Sequence, residues 1–181
     1  MAVSVETRSW TVDDLYRIPD DENRYEVLDG ELLVTPPAGP DHEAIISRLH
    51  ALLVGYVATN RLGIVSSRNS AVHRRGSLLI PDLLVRRPPT AKGQSWADQA
   101  LPILVVEVRS PSTWNRDSTI KRAFYLDQNI PDYWMVHPDL EEVVVARHGE
   151  PDRLETGTIS WHPARVAEPL EIALRQVFHG D

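Results

Sequence analysis

The chain of 181 residues contains no cysteine. That excludes disulfides, thiolate zinc centres and cysteine nucleophiles, and it suits a reducing compartment. Long apolar runs are missing as well. No window approaches the roughly 18 uninterrupted apolar residues of a membrane span, and the opening stretch MAVSVETRSW has neither the basic nor the apolar region of a secretory leader. A soluble, cytoplasmic protein with no membrane partner is expected. Positive charge is scarce overall: 19 Lys and Arg stand against 26 Asp and Glu, for a net charge of -7, which alone argues against a chain that lives on a polyanion. Internal repeats and low-complexity tracts are absent. Residues 1–181 therefore read as one domain, long enough to bury roughly two-thirds of its unfolded surface.

The charge that is present is unevenly distributed. Residues 61–122 hold eleven Lys or Arg and four Asp or Glu, whereas the rest of the chain holds eight and twenty-two. One basic face on an acidic body would serve a phosphate-bearing partner. Arginines that merely flank strands as solubilising residues would give the same count. Three of the four acids in the basic segment are Asp82, Glu107 and Asp117, which sharpens the first reading.

Periodicity supplies the elements. Thr11 caps a short helix over 11–18 that ends before Pro19. Asp29-Gly30 between two alternating segments predicts a hairpin with strands at about 24–28 and 31–35. A helix over 41–60 presents Ile45, Ile46, Leu49, Leu52, Leu53 and Tyr56 on one face. Strands follow at 63–74 and 78–85, joined by a turn at Arg75-Gly76-Ser77, and at 102–109 after a long polar loop. A helix over 117–129 carries an apolar stripe of Ile120, Ala123 and Phe124, with Asp117, Lys121 and Tyr125 along one flank. Strands at 132–137 and 141–148, short strands near 153–161 and a closing helix or turn at 169–178 complete the order. The fold class is α/β in the α+β sense: a mixed sheet with helices packed on it, an N-terminal β-hairpin and a C-terminal strand extension.

Two of these strands carry a carboxylate where hydrocarbon is expected. LLIPDLLV, residues 78–85, contains Asp82, and LPILVVEVRS, residues 101–110, contains Glu107. An unpaired buried charge is costly, so each needs a cation or a shifted pKa. If the strands are neighbours, Asp82, Glu107 and Arg109 converge, because alternate strand residues share a face. Two carboxylates on adjacent strands suit a hard divalent ion that takes its other ligands from water and a substrate phosphate. Taken singly, Asp82 can equally be a turn residue beside Pro81, and Glu107 a salt-bridged strand residue.

The Pro81-Asp82 pair, followed by Glu107 in an apolar strand and then a basic residue, resembles the PD-(D/E)XK nuclease superfamily. More closely, Tyr25-Glu26, Asp29-Gly30-Glu31, His42, Pro81-Asp82, Glu107-Val108, Ser110-Pro111-Ser112-Thr113, Asp117, Lys121, Tyr125 and Tyr133-Trp134 resemble the Uma-two-like group of restriction endonucleases. The resemblance implies a restriction endonuclease-like core that cleaves DNA with magnesium, or manganese in its place. Asp82 and Glu107 would then hold metal, and a lysine would stabilise the transition state. The lysine expected two residues after Glu107 is Arg109, which can clamp phosphate but cannot act as a base. Lys121 is the candidate for a migrated lysine. His42 and Glu31 are candidate supporting metal ligands, Glu26 is set aside as structural, and a homodimer is expected. On residues alone two alternatives stay open. One is a non-catalytic nuclease-fold module that binds nucleic acid or protein, and the other is a structural protein whose carboxylates only form ion pairs.

Overall fold

The computed structural model describes residues 9–67, 70–110 and 117–181. Thr11 caps α1 (Val12–Leu15) through a reciprocal capping box with Asp14. Strands β1 (Arg24–Leu28) and β2 (Glu31–Thr35) form the expected hairpin, Arg24 pairing with Thr35 and Leu28 with Glu31. Asp29 (φ 50°) and Gly30 (φ 85°) both adopt the left-handed backbone that a tight right-twisting hairpin turn requires. Pro40 opens α2 (Pro40–Thr59), whose buried face is Ile45, Ile46, Leu49, Leu53 and Val57.

The next expected strands are each divided in two. The segment 63–74 yields β3 (Ile64–Ser67) and β4 (Val72–Arg74), and the segment 78–85 yields β5 (Ser77–Leu79) and β6 (Leu83–Arg86). The halves belong to different sheets. Strands β4 and β5 complete a four-stranded sheet of order β2-β1-β5-β4, whereas β3 and β6 enter the main sheet. The division of the second segment falls at Ile80-Pro81-Asp82, where proline has no N–H to offer a ladder. The main sheet has six strands in the order β10-β9-β8-β7-β6-β3. Its members include β7 (Leu104–Val108), β8 (Asp132–His137), β9 (Glu142–Ala146) and β10 (Arg153–Glu155). Strands β7 and β8 are parallel, and the remaining pairs in this sheet are antiparallel.

Between β7 and β8 a π-helical turn, Asp117–Lys121, leads into α3 (Arg122–Asp127). The expected apolar stripe of this helix is not what it buries. Ile120 and Ala123 face solvent, while Lys121, Phe124, Tyr125 and Leu126 are buried. A π turn adds a residue to the winding and so rotates the following face away from an i, i+3, i+4 expectation. At the C-terminus β11 (Thr158–Trp161) pairs with β12 (Leu170–Ala173), and α4 (Leu174–Phe178) closes the chain. Residues 169–178, expected as a helix or turn, are thus a strand followed by a helix.

Alternation along β7 sets the layers. Leu104, Val106 and Val108 pack with α2 on one face, while Val105 packs with hairpin residues Leu28 and Leu33 and with Phe124 and Tyr125 on the other. Glu107 shares the parity of Val105 and therefore points between the hairpin and α3. No helix among the described residues is long and apolar enough to cross a membrane.

Candidate active site

Asp82 directly precedes β6, whose first residue, Leu83, pairs with Val106 of β7. Continuing that antiparallel register by one step brings Asp82 opposite Glu107. Both side chains are buried, each with 2% of its surface exposed. Neither is held by chance. Asp82 Oδ2 accepts the N–H of Val108 at 2.8 Å, so the aspartate serves a backbone donor at the end of the neighbouring strand. Its Oδ1 accepts from Arg24 Nη1, also at 2.8 Å. His42, in the first turn of α2, places Nε2 2.9 Å from the Val108 carbonyl and 3.3 Å from Asp82 Oδ2. Contact with a carbonyl fixes that nitrogen as the protonated one, donating to both oxygens. Burial alone would raise the Asp82 pKa, yet the His42 hydrogen bond and the Arg24 charge outweigh it and hold the carboxyl below its ordinary range.

Glu107 Oε1 accepts from the Tyr125 hydroxyl at 3.0 Å and from Lys121 Nζ at 3.4 Å. Burial, with the Glu107 and Glu26 charges nearby, pushes the Tyr125 pKa well up, so the phenol stays a donor. Lys121 also lies 2.8 Å from Glu26 Oε2. Glu26 is completely buried, and its Oε1 accepts the Ile80 N–H at 2.7 Å. The strand break at Ile80-Pro81 is therefore satisfied by one carboxylate of the cluster, and the Val108 N–H by another. Arg24 bridges the group: burial disfavours its guanidinium, but Glu26, Asp82 and Glu107 together raise its pKa.

Three buried atoms of this cluster, Arg24 Nε, Glu26 Oε2 and His42 Nδ1, have no directed hydrogen bond. Glu26 Oε2 meets Lys121 as an ion pair without a directed hydrogen bond. Hard oxygen donors, one of them lacking a directed donor, fit a divalent ion such as magnesium in kind. Among the described residues, however, no group of three or more Asp, Glu or His side chains is arranged to hold one. An ion here would have at most two protein ligands from this set, and water and a substrate phosphate would supply the rest.

A family model described as "Uma2: Putative restriction endonuclease" matches residues 12–176. The chain belongs to the Uma2 family. A crystal structure titled as that of a putative nuclease belonging to DUF820, from Anabaena variabilis ATCC 29413, is similar over 93% of this chain and 97% of that one. Its TM-score is 0.75 and its sequence identity 18%, so the likeness is one of fold. No curated protein matches the chain.

For this Uma2 protein the structure joins Asp82, Glu107, Lys121 and His42, as the sequence suggested. His42 reaches Asp82 as a hydrogen-bond donor rather than through a free ring nitrogen. Glu31 is not brought in. It is exposed at the closed end of the hairpin, opposite Leu28, two strand positions beyond the level of Glu26. Arg109 lies one residue past the end of β7, half-buried, its N–H donated to the Val136 carbonyl at 2.9 Å. Arg24 pairs with Asp82 and Lys121 with Glu107. Pro111, Ser112 and Thr113 of the motif lie outside the described residues. Of the remaining members of the cluster, sequence reasoning set Glu26 aside as structural, quoted Tyr125 beside Lys121 without a role, and did not name Arg24. The available signal was that Glu26 sits between Tyr25 and Val27 in a strand with apolar residues at both parities.

Proposed function

We propose that this protein is a metal-dependent nuclease that hydrolyses DNA phosphodiester bonds at the Asp82–Glu107–Lys121 cluster. The observation that carries the reading is Lys121, a buried ammonium that a π-helical turn delivers between Glu26 and Glu107, with Asp82 opposite Glu107 one step beyond the Leu83–Val106 pair. π turns of this kind recur at functional sites. Asp82 and Glu107 would hold Mg²⁺, or Mn²⁺ in its place, and that ion would polarise a phosphoryl oxygen and lower the pKa of a bound water.

The chain's own groups have defined work around such an ion. Lys121 supplies positive charge where negative charge develops on phosphorus. Tyr125 orients Glu107, while His42 and the Val108 N–H orient Asp82. Arg109 serves as a phosphate clamp rather than a base. The excess of basic residues over 61–122 supports a nucleic acid as the substrate. Assembly as a homodimer belongs to the same reading, since cutting both strands of a duplex takes two such sites. Sedimentation of the free protein measures it.

The test is cleavage of supercoiled plasmid with Mg²⁺ or Mn²⁺. Wild type is expected to cut and chelation to stop it. Asp82→Asn and Glu107→Gln should each lose at least about a hundredfold in rate, the scale of removing a charge-stabilising group, with unchanged circular dichroism. A folded wild type that cuts neither plasmid nor single strands with either ion would refute catalysis. Cleavage confined to RNA would refute the DNA assignment.

One observation favours a second reading, a non-catalytic module of the same fold: Arg24 already pairs with Asp82. Such a module would bind DNA with a steep salt dependence and leave it intact in the same assay.

A further inference from the structure

The end of the main sheet opposite the acidic cluster carries a cleft of about 750 Å³ that the nuclease reading does not use. Helix α2 serves as the ruler between the two places. His42 in its first turn touches Asp82, while Arg61, just past its last turn, lines the cleft; at 1.5 Å per residue the helix of 20 residues separates them by about 30 Å. The cleft is thus a second place on the protein, and its size lies within the range of small-molecule sites.

Four guanidiniums line it, those of Arg61, Arg87, Arg147 and Arg165, against two carboxylates, Asp132 and Glu150. The acids do not cancel the bases evenly. Asp132 gives one oxygen to Arg147 Nε at 2.7 Å and the other to Trp161 Nε1 at 3.2 Å, and Glu150 lies 3.9 Å from the same Arg147. Both acids are therefore committed to one arginine. Arg61, Arg87 and Arg165 are exposed, and among the described residues no ion pair engages them. The negative end of the α2 dipole amounts to only about half a charge, so the cleft keeps a positive excess.

Backbone conformation adds to this. Arg61 (φ 54°) and Arg165 (φ 71°) both hold left-handed backbone, and Arg61 stands directly after the helix cap Asn60, a position where glycine or asparagine is usual. Between the arginines the walls mix apolar side chains, Ile103, Ile130 and Pro163 among them, with the planar polar groups of Asn129, His148 and His162. A fork of N–H donors matches phosphate oxygens better than a point charge does, and an excess of two positive charges matches the nearly double negative charge of a phosphate monoester near neutral pH.

We propose that this cleft binds a phosphate monoester carried on an apolar or planar body the size of a mononucleotide. The ligand is a free nucleotide or the phosphorylated end of a nucleic-acid strand, two sources of one chemistry. The proposal does not rest on the nuclease reading.

Calorimetric titration of the full chain with AMP, in buffer containing a chelator, tests it. Millimolar or tighter binding is expected. The Arg61→Gln/Arg165→Gln double variant, and separately Arg87→Gln, should bind at least about tenfold more weakly with unchanged melting temperature, while Asp82→Asn should bind like wild type. Adenosine should bind at least about tenfold more weakly than AMP. A 5′-phosphorylated tetranucleotide that outcompetes AMP assigns the site to strand ends; AMP binding as well or better assigns it to free nucleotide. No heat with AMP or the tetranucleotide, equal binding of adenosine, or full affinity in all three arginine substitutions overturns the proposal. So does loss of AMP binding in Asp82→Asn, which would place the phosphate at the acidic cluster.

Discussion

Lys121 Nζ stands 2.8 Å from Glu26 Oε2, joining the turn before α3 to the first strand of the hairpin. Both side chains are buried, so neither charge is screened by water; each keeps one longer contact besides, Lys121 to Glu107 at 3.4 Å and Glu26 to Arg24 Nε at 3.9 Å. Removing one partner of a buried pair strands the remaining charge and costs about 3–5 kcal/mol, whereas replacing both is far less damaging. Lys121→Met and Glu26→Gln are each expected to lose up to that much by urea denaturation, the longer contacts offsetting part of it. The double variant should be less destabilised than the sum of the two, and simple additivity would show that the pair is not coupled.

Acid should unfold the wild type through Asp82. Its carboxyl is held below the ordinary range in the folded protein, while the unfolded chain takes up a proton near about pH 3.9. Below that value the unfolded state binds more protons, so stability falls as pH drops towards the folded pKa; above about pH 5 the contribution is constant. Melting temperatures between pH 3 and 7 should therefore decline steeply at the acid end for wild type and less steeply for Asp82→Asn. Parallel curves would remove Asp82 as the source.

Tyr125→Phe deletes a buried donor to Glu107 without changing the packed ring, which also lies 5.5 Å from the ring of Tyr133. A loss of about 1–3 kcal/mol in unfolding free energy is expected, the cost of leaving a buried acceptor short of a partner. Stability equal to wild type would show that water replaces the hydroxyl.

Gly63 links α2 to β3 with φ 145°, and a Cβ there would stand 2.0 Å from the backbone oxygen of Arg86. At Gly30 the added carbon would meet only the movable hydroxyl of Ser9. Gly63→Ala should cost at least about 3 kcal/mol, against about 1 kcal/mol for Gly30→Ala from backbone conformation alone. Comparable melting temperatures for the two variants would contradict this geometry.

Glu31→Gln is the control for the hairpin. The residue is exposed and away from the cluster, so its stability should stay within about 0.5 kcal/mol of wild type and plasmid cleavage should be unchanged. A loss of cleavage comparable to that of Asp82→Asn would return Glu31 to the site.

Sequence alone determined the elements whose signals are local. Asp29-Gly30 dictated the hairpin and its two strands, because few residue pairs accept left-handed backbone at both turn positions. The short apolar run in DYWMVH, bounded by Pro131 and Pro138, marked β8 to the residue, and the apolar period of 41–60 marked α2. The pairing of Asp82 with Glu107 was also legible, since a carboxylate inside an apolar run must meet a donor or a cation to stay ionised. Tertiary structure decided what local pattern leaves open. It split each run around residues 63–74 and 78–85 between two sheets, a choice made by which strand edges were available to pair. It buried Glu26 and exposed Glu31, which lie on the same hairpin face and differ only in what packs over them. It turned Lys121 inward through a π turn that helical periodicity does not anticipate. The physical reason is the same in each case: a strand or helix fixes which side chains share a face, but the burial and charge of that face are set by neighbours distant in the chain.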